Sequence, residues 1–268
     1  MTDYISIIVA SISLFGTLVT SAIAAWVSFY QDDRRRRQDI EAVKAKYRDP
    51  LALACQDLQT RVRDLVDEDI AWWIIDERKD YLLQHTCFLF GQFLAWTHIL
   101  RREVQFLSSS TDKSNQLLMT ILRQVHHTLN QGLSESDFGP CLLYTGEQQA
   151  LGELMTVDDA GQPLCIGYAT FCEKWKKDQG FQDWFKRLLG EVESYAVARV
   201  DGDVAAIDGR LRVLQHLLLD LMQELDPRVL QFYDGYTRRC ILARGCLCRE
   251  CEGRITGEGG AGPLKIDG

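Results

Sequence analysis

This sequence has no excess of positive charge, which argues against nucleic-acid binding. The 30 Lys and Arg residues are outnumbered by 38 Asp and Glu residues, and the formal net charge is -8 at pH 7. Binding to a phosphate backbone requires clustered Lys and Arg side chains over a wide face. We therefore expect no DNA or RNA partner.

Motifs that mark common enzyme classes are also missing. There is no Gly-x-x-x-x-Gly-Lys-Ser/Thr phosphate loop and no Gly-x-Ser-x-Gly nucleophile elbow. No Glu is followed three residues later by His, although a di-iron helical bundle requires that spacing on two helices. These absences favour a function other than catalysis, and they predict no bound cofactor in the main part of the chain.

Charged side chains are absent from the N-terminal segment Tyr4 to Tyr30. None of its 27 residues is Asp, Glu, Lys, Arg or His, and about 20 apolar residues suffice to cross the hydrocarbon core of a bilayer. Residues 4–30 are therefore predicted to form a transmembrane helix, with membrane lipid as the first expected partner. A signal peptide cleaved near Ala22-Ile23-Ala24 is the alternative, but a basic start and a shorter apolar stretch are missing.

The distribution of arginine predicts the orientation of this span. The short tail, residues 1–3, has no basic side chain, whereas Arg34 to Arg37 follow the span directly. Basic residues next to a span stay preferentially in the cytoplasm. We expect a single-pass protein with its N-terminus outside and its main domain in the cytoplasm, joined by a charged helical stalk, residues 31–48.

Small side chains recur along one stripe of the span at steps of three and four residues. Such a stripe lets two helices approach closely in a bilayer, so it predicts a homo-oligomer, although no Gly-x-x-x-Gly is present and small residues are also simply tolerated in spans. The predicted association face consists of Ser6, Ala10, Ser13, Thr17, Ser21 and Ala24.

Apolar residues at helical spacing predict a mainly all-α fold, a helical bundle over residues 49–230. Asp49-Pro50 is typical of an N-cap and first helical position, so a helix is predicted to begin there. A long central helix is predicted from about Glu77 to Leu107. A second membrane span is the alternative for its weakly charged centre, but it would place Arg101-Arg102 outside, against the charge bias. A short irregular or hairpin segment is predicted near residues 133–167: residues 133–144 are irregular, Glu147 to Met155 is helix-like, and Val157 to Gly167 forms a turn or small hairpin.

Charged residues near the end of the central helix and in the irregular segment are the candidates for a ligand pocket. Arg101, Arg102 and Glu103 belong to the helix, and Glu147 and Glu153 to the later segment. Structural ion pairs are the simpler explanation, but charged groups beside an apolar cleft mark functional sites. His126-His127, near a helix C-terminus, is explained by interaction with the helix dipole.

The nine cysteines fall into two groups. Five are scattered through apolar surroundings (Cys55, Cys87, Cys141, Cys165 and Cys172), which predicts reduced thiols and a reducing compartment. The other four lie in the tail, residues 231–268, which becomes glycine-rich and is predicted to be disordered at its end. Cys240, Cys246, Cys248 and Cys251 have three alternative fates: binding Zn²⁺, reversible acylation, or remaining unmodified.

The sequence contains several distinctive short blocks, which are Tyr47–Leu51 with Asp57–Gln59 and Arg61, Leu100–Leu107, Gly146–Ala150 with Gly152–Met155, Ile166–Tyr168 with Trp175, and Trp184-Phe185. These blocks resemble those of an uncharacterised group of microbial single-span membrane proteins with a helical cytoplasmic domain. The likeness covers roughly residues 5 to 230 and implies architecture alone, because no activity, substrate or cofactor comes with it.

Two hypotheses of function follow from these features. The first is a membrane-tethered helical interaction or regulatory protein that self-associates, with a further protein partner left open. The second is an enzyme or ligand sensor with a polar pocket inside the bundle, formed by residues such as Arg101 and Glu147.

Overall fold

The computed structural model describes residues 2–67, 69–105, 113–130, 139–202 and 208–225. These residues are almost entirely helical, so the predicted all-α class is confirmed. The elements are α1 (Thr2–Asp67), a 3-10 helix (Asp69–Ile75), α2 (Lys79–Gln105), α3 (Lys113–Asn130), α4 (Thr145–Leu154), β1 (Thr156–Asp159), β2 (Gln162–Cys165), α5 (Tyr168–Lys177), α6 (Gln179–Val200) and α7 (Gly209–Leu225).

Helix α1 runs without interruption from the predicted span into the domain. The predicted start of a new helix at Asp49-Pro50 is wrong, because Pro50 lies inside α1. Proline removes one backbone donor and crowds the preceding turn, yet the residues on either side of it are held by tertiary contacts. Tyr47 and Leu51 are buried, and the Arg48 side chain donates to the Leu225 carbonyl at the end of α7. Packing therefore outweighs the local preference to break.

The N-terminal part of α1 is long and apolar enough to cross a membrane. The segment Leu14–Asp32 has a mean hydropathy of 1.2 and none of it is buried against the rest of the chain. In the ranges that the structure describes, no other helix meets the same criteria. The alternative of a second span in α2 is not supported, since Phe90, Phe93 and Leu94 at its centre are fully buried in the core.

Helices α1 and α2 run antiparallel, as two contacts between them demonstrate. The rings of Tyr47 and Trp96 lie 6.4 Å apart. Arg61, fourteen residues after Tyr47 on α1, contacts His85, which lies eleven residues before Trp96 on α2. Helix α7 packs against α1 and α3 and is buried along almost its whole length. The core thus lies between the domain part of α1, the centre of α2, and α7.

The predicted hairpin is present after α4. Thr156 to Asp159 pairs antiparallel with Gln162 to Cys165. Its two turn residues, Ala160 and Gly161, have φ values of 52° and 81°, the left-handed geometry of the turns that suit two-residue hairpins. The Gly161 N–H donates to the Asp158 carboxylate at 2.7 Å, which closes the turn.

All five scattered cysteines are free thiols, as the sequence predicts. Cys55, Cys87 and Cys141 are buried, and Cys165 and Cys172 are partly buried. Burial raises the pKa of Cys55, Cys87 and Cys141, which keeps these thiols protonated and unreactive.

Candidate functional site

A cleft of about 530 Å³ opens between α2, α3 and α4, and it is called the arginine cleft below. Close packing of α4 on α2 forms one of its walls. A Cβ atom on Gly152 would lie 2.9 Å from the Leu94 carbonyl oxygen and 2.9 Å from the His98 Cβ, so the two helices approach more closely than a larger residue permits. The lining residues are Leu94, Thr97, His98, Arg101, Arg102, Arg123, His126, His127, Asn130, Thr145, Gln148, Gln149 and Glu153.

Positive charge predominates in this cleft. Three arginines line it against one carboxylate, Glu153. Burial, together with the neighbouring charge of Arg123, lowers the pKa of Arg101. Within the described ranges no carboxylate forms an ion pair with Arg101 or Arg123. A partly buried guanidinium beside a second one is unfavourable unless an anion compensates it.

Gln148 holds the imidazole of His126 at the floor of the cleft. The Gln148 side-chain amide donates to the carbonyl of His126 at 3.0 Å and to the carbonyl of Leu143 at 2.8 Å. Its own oxygen is therefore turned toward His126 Nδ1. Because that oxygen only accepts, Nδ1 carries the proton and Nε2 keeps its lone pair.

The Nε2 atom of His126 is buried and has no hydrogen-bond partner among the described residues. Burial and the charge of Arg101 lower the pKa of His126 to about 4, although its bond with Gln148 acts in the opposite direction. The imidazole is therefore neutral at physiological pH. The cleft thus combines arginine donors with the imidazole acceptor of His126, an arrangement suited to a ligand with several anionic oxygens and at least one protonated group.

The structure brings together three of the five residues that the sequence nominates for a pocket. Arg101, Arg102 and Glu153 line the arginine cleft. Glu147 lies elsewhere: its carboxylate accepts from the backbone N–H of Tyr144 at 2.8 Å and from Arg187 Nε at 2.8 Å, and so caps the start of α4. Glu103 belongs to α2, but its side chain is outside the described residues. A ligand-binding role for these residues stays a prediction.

Sequence reasoning missed the contribution of α3 and of the α4 glutamine. Arg123 and His126 belong to α3, and Gln148 reaches His126 across 22 residues of sequence. The available signal was the strong amphipathic pattern of α3 together with basic residues near its end. His126-His127 was attributed to the helix dipole and was therefore not considered as part of a site.

The predicted association face is only partly described. Thr17, Ser21 and Ala24 are exposed on α1, whereas the side chains of Ser6, Ala10 and Ser13 are outside the described residues. The Thr17 hydroxyl donates to the Leu14 carbonyl at 2.8 Å, and the Ser21 hydroxyl donates to the Thr17 carbonyl at 2.7 Å. Both hydroxyls are satisfied within their own helix, so close packing would have to drive an association. Self-association stays a prediction.

In the described ranges no group of three or more His, Cys, Asp and Glu side chains is arranged to hold a metal ion. The cluster Cys240, Cys246, Cys248 and Cys251, for which zinc is one alternative, lies outside those ranges. The zinc site therefore stays a prediction.

Comparison with protein families, with curated proteins and with solved structures finds no match to this chain.

Proposed function

We propose that the protein is a membrane-tethered regulatory protein that senses a small soluble polyanion in the arginine cleft. The observation that carries the proposal is the uncompensated pair Arg101 and Arg123, which have no carboxylate partner in the described structure. The proposal joins the regulatory hypothesis to the ligand-sensor hypothesis, since binding would be the signal that the tethered domain reports.

The size and charge of the cleft support a ligand with two or more anionic groups. About 530 Å³ is within the usual range for small-molecule pockets and exceeds the needs of a single inorganic ion. Arginine recognises phosphate and carboxylate groups through pairs of parallel hydrogen bonds. Phosphorylated metabolites and polycarboxylates are therefore the supported classes.

The tether supports a soluble ligand over a lipid headgroup. Tyr30 and Tyr47 are separated by 17 residues of continuous helix, about 25 Å at 1.5 Å per residue. The antiparallel contact of Tyr47 with Trp96 puts Arg101 one and a half turns closer to the span, roughly 15–20 Å from its aromatic end along the axis. The field of an anionic membrane surface is largely screened at that distance.

The orientation belongs to the same proposal. Arg34 to Arg37 after the span support a cytoplasmic domain and an external N-terminus. Five free thiols in the domain agree with a reducing compartment. Protease digestion of sealed vesicles would test this orientation: the domain should be cut in inside-out vesicles and protected in right-side-out vesicles.

Ligand binding is tested with the full chain in detergent micelles. Pyrophosphate and citrate should raise its melting temperature above that in sodium chloride of matched ionic strength. Replacing Arg101 or Arg123 by Gln should weaken binding by roughly tenfold or more, because hydrogen bonds to charged groups contribute about 1.5–3 kcal/mol. Arg187→Gln is the matched control, since Arg187 pairs with Glu147 outside the cleft. Equal loss in all three variants, or no shift with either anion, would contradict the proposal.

Catalysis is the second candidate, and the unpartnered Nε2 of His126 is the observation that favours it. A neutral imidazole with a free lone pair is suited to accept a proton from a bound substrate. The two candidates differ in one readout: a sensor returns its ligand unchanged after prolonged incubation, whereas an enzyme converts it and loses that conversion in His126→Gln.

A further inference from the structure

A second cleft, of about 380 Å³, lies between α1 and α2, and it is called the Arg61 cleft below. Arg61 and His85 lie in it, together with the acidic residues Asp57 and Asp64 and the apolar residues Phe88 and Leu89. Since an α-helix turns about 100° per residue, His85 and Arg101 lie about 160° apart around α2. The two clefts therefore occupy nearly opposite sides of the central helix and are separate sites.

Arg61 carries a buried positive charge that the described chain does not neutralise. The residue is 7% exposed, and its NH1 atom is buried without a hydrogen-bond partner. The ring of Tyr81 lies 6.0 Å from the guanidinium, but no carboxylate in the described ranges forms an ion pair with Arg61. Burial lowers the pKa of Arg61, in part offset by Tyr81 and Asp64. A buried unpaired donor on a cation is costly, and an anionic group within the cleft would relieve that cost.

His85 is the fixed neighbour of this guanidinium. Arg61 NH2 lies 2.6 Å from His85 Nδ1, and because a guanidinium only donates, Nδ1 accepts and Nε2 carries the proton. The imidazole stacks on Tyr81 at 5.1 Å and meets the edge of Tyr168 at 5.2 Å. This packing holds both side chains in place, so the donors of Arg61 are positioned before any ligand binds.

Acidic groups accompany this buried cation. Asp57 is exposed and lies one helical turn before Arg61, and Asp64 is three residues after it and bonded to Arg63 at 2.8 Å. Although the residue as a whole is exposed, its carboxyl is partly desolvated, which raises the pKa of Asp57, and none of the described cations forms an ion pair with it. A simple anion would approach Arg61 past two carboxylates, and a simple cation would meet the guanidinium. A ligand that carries both charges meets neither penalty.

We propose that the Arg61 cleft binds a small zwitterion of the α-amino-acid class, with its carboxylate on Arg61 and its ammonium group on Asp57. The positions of the two groups, one turn apart on α1, match the short separation of opposite charges in such a ligand. Phe88 and Leu89 offer an apolar wall to the ligand side chain, so amino acids with apolar side chains bind best.

The test uses the full chain in detergent micelles and the proteinogenic amino acids as probes, one at a time, followed by the amide and the N-acetyl derivative of the best binder. At least one apolar amino acid should raise the melting temperature. Its amide, which lacks the carboxylate, and its N-acetyl derivative, which lacks the ammonium group, should each bind roughly tenfold or more weakly. No shift with any amino acid, or equal binding of either derivative, would overturn the proposal.

Variants locate the ligand. Asp57→Asn should weaken binding of the best amino acid by roughly tenfold, while Asp183→Asn, an exposed position on α6, should leave it unchanged. Arg61→Gln should abolish binding; if that variant does not fold, Asp57→Asn decides. Unaltered affinity in Asp57→Asn would overturn the proposed placement. Arg101→Gln should retain amino-acid binding, which separates this test from that of the arginine cleft.

Discussion

Gln148 determines which nitrogen of His126 carries the proton, because its amide group is committed to the carbonyls of His126 and Leu143 and its oxygen alone faces Nδ1. A single buried side chain therefore connects α4 to the end of α3 and prepares the floor of the arginine cleft. The relationship leads directly to a measurable effect on stability.

Replacing Gln148 by Leu should lower the free energy of unfolding by about 1–3 kcal/mol, because two carbonyl groups and one imidazole nitrogen lose their buried partner. Urea denaturation of the purified chain would measure the change. Gln149→Leu is the control, since Gln149 is exposed and surface changes usually stay within about 0.5 kcal/mol. Equal effects of the two substitutions would show that the Gln148 bonds contribute little.

Stability should fall as the pH decreases from about 6.5 toward 4. The pKa values of His85 and His126 are lowered to about 4, below the ordinary value near 6.5. Between those values the unfolded chain binds more protons than the folded chain, so stability is fully present above about 6.5 and is lost as protons bind. The melting temperature of His126→Gln should depend less steeply on pH in this window than that of the unsubstituted chain. Identical slopes would contradict the assignment.

Introducing a methyl group at Gly152 should destabilise the domain. The added Cβ would lie 2.9 Å from the Leu94 carbonyl oxygen, and a backbone atom within a packed helix cannot move away cheaply. Overpacking of this kind costs about 1–3 kcal/mol. Gly190→Ala is the matched control, because nothing lies within 4 Å of a Cβ there and Ala stabilises a helix interior by roughly 0.5–1 kcal/mol relative to Gly. The melting temperature should therefore fall when Gly152 is replaced by Ala and rise in Gly190→Ala.

The predicted span offers a matched pair of alanines for testing self-association. Ala24→Leu places a bulky side chain on the small-residue stripe, and Ala22→Leu makes the same change on the far side of the helix. If the stripe is an association face, crosslinking in the membrane should yield less dimer with Ala24→Leu and an unchanged amount with Ala22→Leu. Monomer alone in the unsubstituted protein would refute the predicted homo-oligomer.

Spin labels at Arg35 and Asp57, which are both exposed, would test whether α1 is continuous across Pro50. Their backbone positions are 22 residues apart, so an unbroken helix separates them by about 33 Å. A narrow distance distribution near that value is expected from the packing of Tyr47 and Leu51. A broad distribution, or one centred well below it, would indicate a hinge at the proline.

Helical periodicity was a good predictor where a helix buries mainly one face, as α3 and α6 do. Apolar residues at helical spacing were sufficient to predict a helical bundle over residues 49–230, and the hairpin after residue 157 was also predicted from sequence. Pro50 was misjudged because its effect on a helix is local, whereas the contacts that hold α1 together come from α2 and α7. Local sequence preferences predict individual helices and turns, but they do not show where tertiary packing outweighs a local preference.

The candidate site was predictable only in part, for a related reason. Arg101, Arg102 and Glu153 attracted notice as charged residues beside apolar segments, and they do share a cleft. Glu147 has the same sequence character, yet it pairs with Arg187, forty residues away. Arg123, His126 and Gln148 enter the site through the packing of α3 and α4 on α2, and no spacing within one element reveals such a contact.

If the N-terminal part of α1 crosses the bilayer as proposed, the continuity of this helix fixes the rotation of the domain relative to the membrane. One additional residue between Tyr30 and Tyr47 would turn the domain by about 100° around the helix axis and lift it by about 1.5 Å. Because the same helix carries Thr17 in the predicted span and Arg61 in the domain, the angle at which two spans would meet in the predicted homo-oligomer would also set which sides of their domains face one another. Deleting or inserting residues in the stalk would therefore change which faces of the domains pair, and the change would repeat with the period of the helix. A flexible linker would show no such periodic effect.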